Sequence, residues 1–203
     1  MKIAVFTDIH GNIEALRTVI CSIRRQKVDK VIFLGDVFFR GTNVRECIDL
    51  LIAENVTCLA GNCELYFADG VDIDSDVLKD KQYYDTIREI LPDKYFLWVK
   101  SLPLKFELTL CEKKLLFSHF LIKDQNAPYP FYSLSSIKDG TLFEKAARQD
   151  YDYMFFGHSH RKFAEGNVIS IPAAGIDEAE YLLIEAEDAI TFRFIRIGFD
   201  DEE

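Results

Sequence analysis

Asp8 and His10 stand two residues apart in FTDIHGN, as do His158 and His160 in FGHSH, and three residues of matching chemistry stand alone: Asp36 in FLGD, Asn62 in LAGN and His119 in LFSH. Carboxylate, amide oxygen and imidazole nitrogen make a mixed donor set large enough for two divalent ions, with no thiolate required. The chain has four histidines, and all four belong to this set. Alone, each residue has an ordinary explanation: an aspartate as a cap, Gly61-Asn62 as a breaker pair, a histidine as a hydrogen-bonded interior residue. The seven together point to a two-metal centre.

The apolar runs before these residues show how they could meet. KIAVFTD, KVIFLGD, VTCLAGN, KKLLFSH and YMFFGH are of strand length, and each ends in or beside one of the seven. In open α/β sheets ligands bind at the carboxyl ends of the strands, so distant residues converge on one crevice. Between the first three runs, IEALRTVICSIRR and VRECIDLLIAEN place apolar residues at helical spacing. That alternation predicts parallel strands with helical crossovers. Residues 65–100, acidic around DGVDIDSDVLKDK and helical at QYYDTIREIL, read as an insertion near the site mouth. After Pro103 come KFELTL, KKLLFSH, the loop NAPYPFYS, a helix LFEKAARQ, then YMFFGH, NVISIP, AEYLLIE and ITFRFIRIGF. This run of late strands predicts a second sheet.

A chain of 203 residues with 49% hydrophobic content fits a single domain, 1–203. No stretch approaches the ~20 apolar residues of a membrane span, and the opening strand meets Asp and His too early for a signal sequence. A cytoplasmic protein is expected. Five cysteines, odd in number and without a CxxC pair, suggest neither a disulfide framework nor a zinc knuckle. Cys21, Cys47, Cys58 and Cys111 are expected in the core. A net charge of -10 and a DDEE tail disfavour extended nucleic-acid binding. A small anionic substrate at a metal site is compatible with that charge, as is a homo-oligomer.

Asp8-Ile9-His10, Gly35-Asp36, Gly61-Asn62, Ser118-His119 and Gly157-His158-Ser159-His160, in that order, resemble the motifs of the calcineurin-like metallophosphoesterases over nearly the whole chain. Among them, the small bacterial and archaeal phosphodiesterases are the most similar, their opening strand likewise running into Asp-x-His-Gly-Asn. The resemblance implies an α/β fold, a four-layer α/β/β/α sandwich of two mixed sheets flanked by helices. It implies one metal on Asp8, His10 and His160, a second on Asn62, His119 and His158, and Asp36 bridging them. Mn is expected, and Fe, Ni or Zn suit the same donors. The implied reaction is hydrolysis of a small phosphate diester by direct attack of a metal-bridging hydroxide, with Asp36, Asn62, Cys63 and Arg40 as catalytic residues. Two cations about 3.5 to 4 Å apart would lower the hydroxide's pKa and neutralise charge on the attacking and leaving oxygens. Alternatives are a phosphomonoesterase or nucleotide phosphatase and, in a different class, a protein-binding scaffold of the same fold.

Three departures from the family pattern bear on substrate choice. Many members have a proton-donating His where this chain has Cys63, an exchange shared by the small bacterial phosphodiesterases. A neutral thiol with a pKa near ~8.5 is a poorer donor than an imidazolium near ~6.5, so monoester hydrolysis is expected to suffer. A covalent role for Cys63 is the weaker reading, because it would need a nearby base and an electropositive niche. Arg40 lies where the protein-phosphatase branch has a phosphate-contacting Arg, and Phe39 replaces the acidic residue before it; a guanidinium offers two parallel donors to phosphate. Phe120 follows His119 where relatives have Gly, and is expected either to close over the second metal or to shift the loop. For the aromatics of NAPYPFYS, ordinary packing is expected over stacking on an aryl or nucleobase group.

Overall fold

A computed structural model of the chain describes residues 1–39, 41–70, 78–176 and 179–197, with residues 78 and 79 as backbone alone. Arg40, part of the acidic stretch 71–77 and the DDEE tail lie outside the described residues.

The first strand, β1 (Lys2–Phe6), is buried on both faces, which is why its sequence reads as a continuous apolar run rather than an alternating one. It pairs in parallel with β2 (Lys30–Phe33), and β2 with β3 (Thr57–Cys58). On the other side of β1 lies β9 (Glu180–Ala186), antiparallel, followed by β10 (Ile190–Arg196). The second sheet has the order β4 (Lys105–Leu110), β5 (Lys113–Ser118), β6 (Tyr153–Phe156), β8 (Val168–Ser170) and β7 (Phe163–Glu165). Its central pairs, β5 with β6 and β6 with β8, are parallel. Both sheets are therefore mixed.

Alternate residues of the central strands face two different cores. Ile3, Val5, Ile32, Leu182 and Ile184 meet Leu115, Phe117, Phe155 and Ile169 between the sheets. Ala4, Phe6 and Phe33 turn outward against α1 (Ile13–Gln26) and α2 (Val44–Ala53), which contribute Leu16, Val19, Ile20, Cys47, Ile48 and Leu51. On the far side, Leu116, Met154 and Phe156 lie under Leu142 and Ala146 of α7 (Thr141–Ala147), preceded by α6 (Ser135–Lys138). The result is the expected four-layer α/β/β/α sandwich. Burying each such side chain contributes about 1.5–3 kcal/mol, so the two-sided cores are the main source of stability.

Several expectations are corrected. The late strands do not all build the second sheet, because β9 and β10 pair back onto β1. VTCLAGN keeps only two residues of strand, since Asn62 already opens α3 (Asn62–Asp69). Within 65–100 the helix expected at QYYDTIREIL is there, in α4 (Leu78–Ile90), between the rest of α3 and α5 (Asp93–Lys100). All five cysteines are free; Cys47 is buried and Cys58 half-buried, but Cys21 and Cys111 are exposed rather than in the core. Cys21 lies on the outer face of α1, and Cys111 in the β4–β5 turn. Among the described residues no helix is long and apolar enough to cross a membrane.

Candidate metal centre

The loops that follow β1, β2, β5, β6 and β8 are stitched to one another by backbone hydrogen bonds. Asp8 N–H donates to Gly35 carbonyl (3.0 Å), His10 N–H to Asp36 (3.0 Å), Gly157 N–H to His119 (2.9 Å) and Ala174 N–H to Thr7 (3.0 Å). This pulls residues from five strand ends into one crevice. Five of the seven candidate ligands have left-handed backbone: Asp8 (φ 56°), His10 (49°), Asp36 (65°), His158 (59°) and His160 (57°). Each such non-glycine conformation costs on the order of 1 kcal/mol or more, and strain of this kind concentrates at functional sites. Two glycines permit the close approach: a Cβ on Gly157 would lie 2.2 Å from Thr7 Oγ1 and 2.6 Å from Asp8 Oδ2, and one on Gly61 would lie 2.2 Å from Asp36 Oδ1.

Asp8 is fully buried. Its Oδ2 accepts from Thr7 Oγ1 (2.6 Å) and the His158 backbone N–H (3.1 Å). Its Oδ1 has no hydrogen-bond partner and lies 3.2 Å from His160 Nε2 and 3.7 Å from His10 Nε2. His10 Nδ1 donates to the Phe38 carbonyl at 2.8 Å. A carbonyl can only accept, so neutral His10 carries its proton on Nδ1 and presents the Nε2 lone pair to His160 Nε2, 3.2 Å away. Burial alone would raise Asp8, but His160, with Nε2 3.2 Å from Oδ1, and the charges of His119, His160 and His10 outweigh it and hold the carboxyl below its ordinary range. Asp8 is thus a carboxylate with one oxygen unmatched.

A second cluster lies beside the first. His119 Nε2 is 3.0 Å from Asn62 Oδ1, 3.3 Å from His158 Nδ1 and 3.5 Å from Asp36 Oδ2. Burial depresses His119 to about 3 and His158 to about 4, so both rings are neutral near pH 7, each with one nitrogen bare of a proton. His119 Nδ1 is buried without a hydrogen-bond partner. Asp36 Oδ1 accepts from Cys63 N–H (2.9 Å), and Oδ2 accepts from the Cys63 thiol (3.1 Å). Burial, followed by the charges of Glu64 and Asp8, pushes the Asp36 carboxyl well above its ordinary value. Donor atoms of Asp8, His10 and His160 group within 4.8 Å of one another, as do those of Asp36, His119 and His158, while Asp36 also groups with His10 and Cys63. Asp36 stands between the two clusters.

These candidate metal-binding groups suit divalent cations. Lone pairs converge at each cluster with few protons among them, and buried Asp8 Oδ1 lacks any donor. Such a geometry is unfavourable unless positive charge enters it.

The neighbours of these ligands include groups that the sequence reading missed. Glu64 is buried; its Oε2 accepts from Asp36 N–H and Gly61 N–H, and its Oε1 from Val37 N–H, all at 2.7 Å. It fastens the loop after β2 to the start of α3. A Glu three residues after Gly61, in the first turn of a helix, was the available signal. Cys63 is 4% exposed, with its thiol on Asp36 and the Tyr84 hydroxyl at its sulfur. Burial first, then the charges of Asp36 and Glu64, push that thiol up, so it is neutral. Phe120 is buried under the His158 ring, 5.0 Å between centroids, and against Phe156. Of the NAPYPFYS aromatics, Phe131 packs as expected, edge-on to His119, whereas half-buried Tyr129 brings its hydroxyl to 3.5 Å from His158 Nε2.

The model of the calcineurin-like phosphoesterase superfamily domain matches residues 1–171. An uncharacterized protein of Methanocaldococcus jannaschii is 26% identical over 98% of this chain and 88% of its own length. Among solved structures, a hypothetical protein of Pyrococcus horikoshii superposes with a TM-score of 0.72 at 19% identity, covering 99% of this chain and 89% of that one. A metallophosphoesterase of Sphaerobacter thermophilus gives 0.67 at 20% identity, covering 99% and 90%. At these identities the two structures show a shared fold.

Proposed function

The chain belongs to the calcineurin-like phosphoesterase superfamily, and from that premise we propose that it is a metal-dependent phosphodiesterase acting on a small phosphate diester. The observation that carries the proposal is the convergence of Asp8, His10, Asp36, Asn62, His119, His158 and His160, with Asp8 Oδ1 buried and unmatched. Asp8, His10 and His160 would hold one ion, Asn62, His119 and His158 the other, and Asp36 both. Two divalent ions bound there supply an activated water and neutralise charge developing on phosphate. Manganese is the metal we propose, and iron, nickel or zinc suit the same donors. A cytoplasmic location and a small phosphate-ester substrate complete the proposal.

The chain's own residues set the conditions for this chemistry. Phe38 carbonyl fixes the His10 tautomer, and the His158 backbone N–H and Thr7 hydroxyl turn Asp8 so that only Oδ1 faces the histidines. The diester preference follows from Cys63. Its thiol is neutral, buried and donated to Asp36, so it offers no proton to a departing oxygen. Esters whose leaving oxygen needs no such help are favoured.

The test is hydrolysis of bis-p-nitrophenyl phosphate against p-nitrophenyl phosphate with Mn²⁺ added. Strong diester preference is expected, lowered more than about 100-fold in Asp36→Asn, since loss of an outer-shell partner alone typically costs 10–100-fold. Equal or greater monoester turnover would overturn the diester assignment. Inactivity on both esters with Mn, Fe, Ni and Zn would overturn the enzymatic reading in favour of a scaffold.

A further inference from the structure

An unbroken series of aromatic contacts runs from one ligand cluster to the other. His10 meets Phe39 edge-on at 6.3 Å, Phe39 lies parallel to Tyr84 at 6.5 Å and 13°, and Tyr84 meets Tyr66 at 5.8 Å and 67°. Tyr66 then stacks on Tyr129 at 6.2 Å and 18°, and the Tyr129 hydroxyl reaches His158. Four separate parts of the chain supply this arc: the loop after β2, α3, α4 and the loop after β5. Tyr84, 3% exposed, lies behind it with its hydroxyl on Cys63. Phe39, Tyr66 and Tyr129 are each half-buried.

Phe39 adds an independent indication. Its φ of 82° is one that a bulky L-residue rarely adopts, and its backbone N–H is held by the Tyr83 hydroxyl at 2.9 Å. Strain held in place by a dedicated partner is typical of positions that serve a site. The parallel pair Tyr66–Tyr129 presents rings of the kind on which flat π-systems stack, a recognition that reads planarity rather than a hydrogen-bond pattern.

We propose that Phe39, Tyr66 and Tyr129 form a subsite for a planar aromatic group carried by the phosphate ester, a nucleobase or an aryl ring, while the phosphate occupies the ligand centre. The assignment rests on the phosphoesterase reading above and adds the chemical class of the ester's organic part. Stacking of this type selects for flatness and tolerates different bases, so the subsite distinguishes aromatic from aliphatic esters.

Binding without turnover tests it. The Mn²⁺-loaded protein is titrated calorimetrically with phenylphosphonate and methylphosphonate, and in parallel with adenosine monophosphate and ribose 5-phosphate. The aromatic member of each pair is expected to bind roughly ten-fold tighter or more. In Tyr66→Leu and in Tyr129→Leu the ratio should fall toward one, whereas Tyr129→Phe, which keeps the ring, should retain it. Two leucine variants on different elements guard against one failing to fold, which thermal melting reports. A preference confined to phenylphosphonate assigns the subsite to aryl esters; one confined to adenosine monophosphate assigns it to nucleotides. Ratios near one in the unaltered protein, or a preference that survives both leucine variants, overturn the subsite while phosphate binding still supports the phosphoesterase reading. Failure of all four anions to bind overturns both.

Discussion

Cys63 carries the diester preference proposed above, a part in substrate range without a part in attack. It stands where many members have a proton-donating histidine, yet here the position is occupied by a neutral thiol on Asp36 Oδ2, with the Tyr84 hydroxyl at its sulfur. Replacing it by histidine restores an ionisable donor at that point. General-acid help of this kind is worth about 10²–10⁴-fold, so Cys63→His should raise monoester kcat/KM by at least about ten-fold relative to diester. Because the imidazole is larger and meets Tyr84, the variant is best compared with and without Tyr84→Phe, which removes the hydroxyl and keeps the ring. An unchanged monoester-to-diester ratio in both backgrounds would show that another group protonates the leaving oxygen. The seven candidate ligands were legible as a set because each follows an apolar run and the four histidines have no other place in the sequence. The burial of Cys63 was not legible, because it depends on Tyr84, 21 positions away on a different helix.

At the scale of elements, Glu64 connects the two that carry Asp36 and Asn62. Its carboxylate takes three backbone N–H groups, two from the loop after β2 and one from the residue preceding α3. Glutamine has a single acceptor oxygen, so Glu64→Gln turns an amide NH₂ toward at least one of those N–H groups. An unsatisfied buried donor costs about 1–3 kcal/mol. Denaturant unfolding of Glu64→Gln should show a loss of that size, and Mn²⁺ affinity should weaken with it, because Asp36 loses the anchor that holds its left-handed backbone. Unaltered metal affinity would show that the other loop contacts suffice to place Asp36. Elements defined by local pattern, α1, α2, β1 and β2, were readable from spacing alone. The early end of VTCLAGN was not, because Asn62 can close a strand or open a helix and Glu64 decides for the helix. Nor was the pairing of β9 with β1: a strand buried on both faces carries no mark of which sheet receives it.

At the scale of the whole molecule, the fold gathers buried carboxylates in a chain of net charge -10, so metal content and pH must bear on its stability together. Burial, Glu64 and Asp8 raise Asp36 above the ordinary value of 3.8, so the metal-free folded state holds a proton there that the unfolded chain releases. A group raised in the folded state contributes stability that is lost as pH rises through its folded value, so this term weakens the metal-free protein with increasing pH. His119, at about 3, and His158, at about 4, act with the opposite sign between those values and 6.5, since there the unfolded chain binds more protons than the folded one. Both rings, however, are neutral above about pH 4 in the folded protein with or without metal, so they drop out of the difference between the two forms. Of the ligands held above their ordinary value, what remains is Asp36, which must give up its proton to serve as a ligand; while it is protonated, apparent affinity rises up to about ten-fold per pH unit. A ligand at 100 times its Kd adds about 2.7 kcal/mol, and a chain of this length gains about 2–4 °C per kcal/mol. Melting of Mn²⁺-loaded and chelated protein at pH 5, 6.5 and 8 should therefore show a gap of several degrees that widens with pH. A gap that stays constant or narrows would place Asp36 outside the metal-binding set and leave the two clusters unconnected.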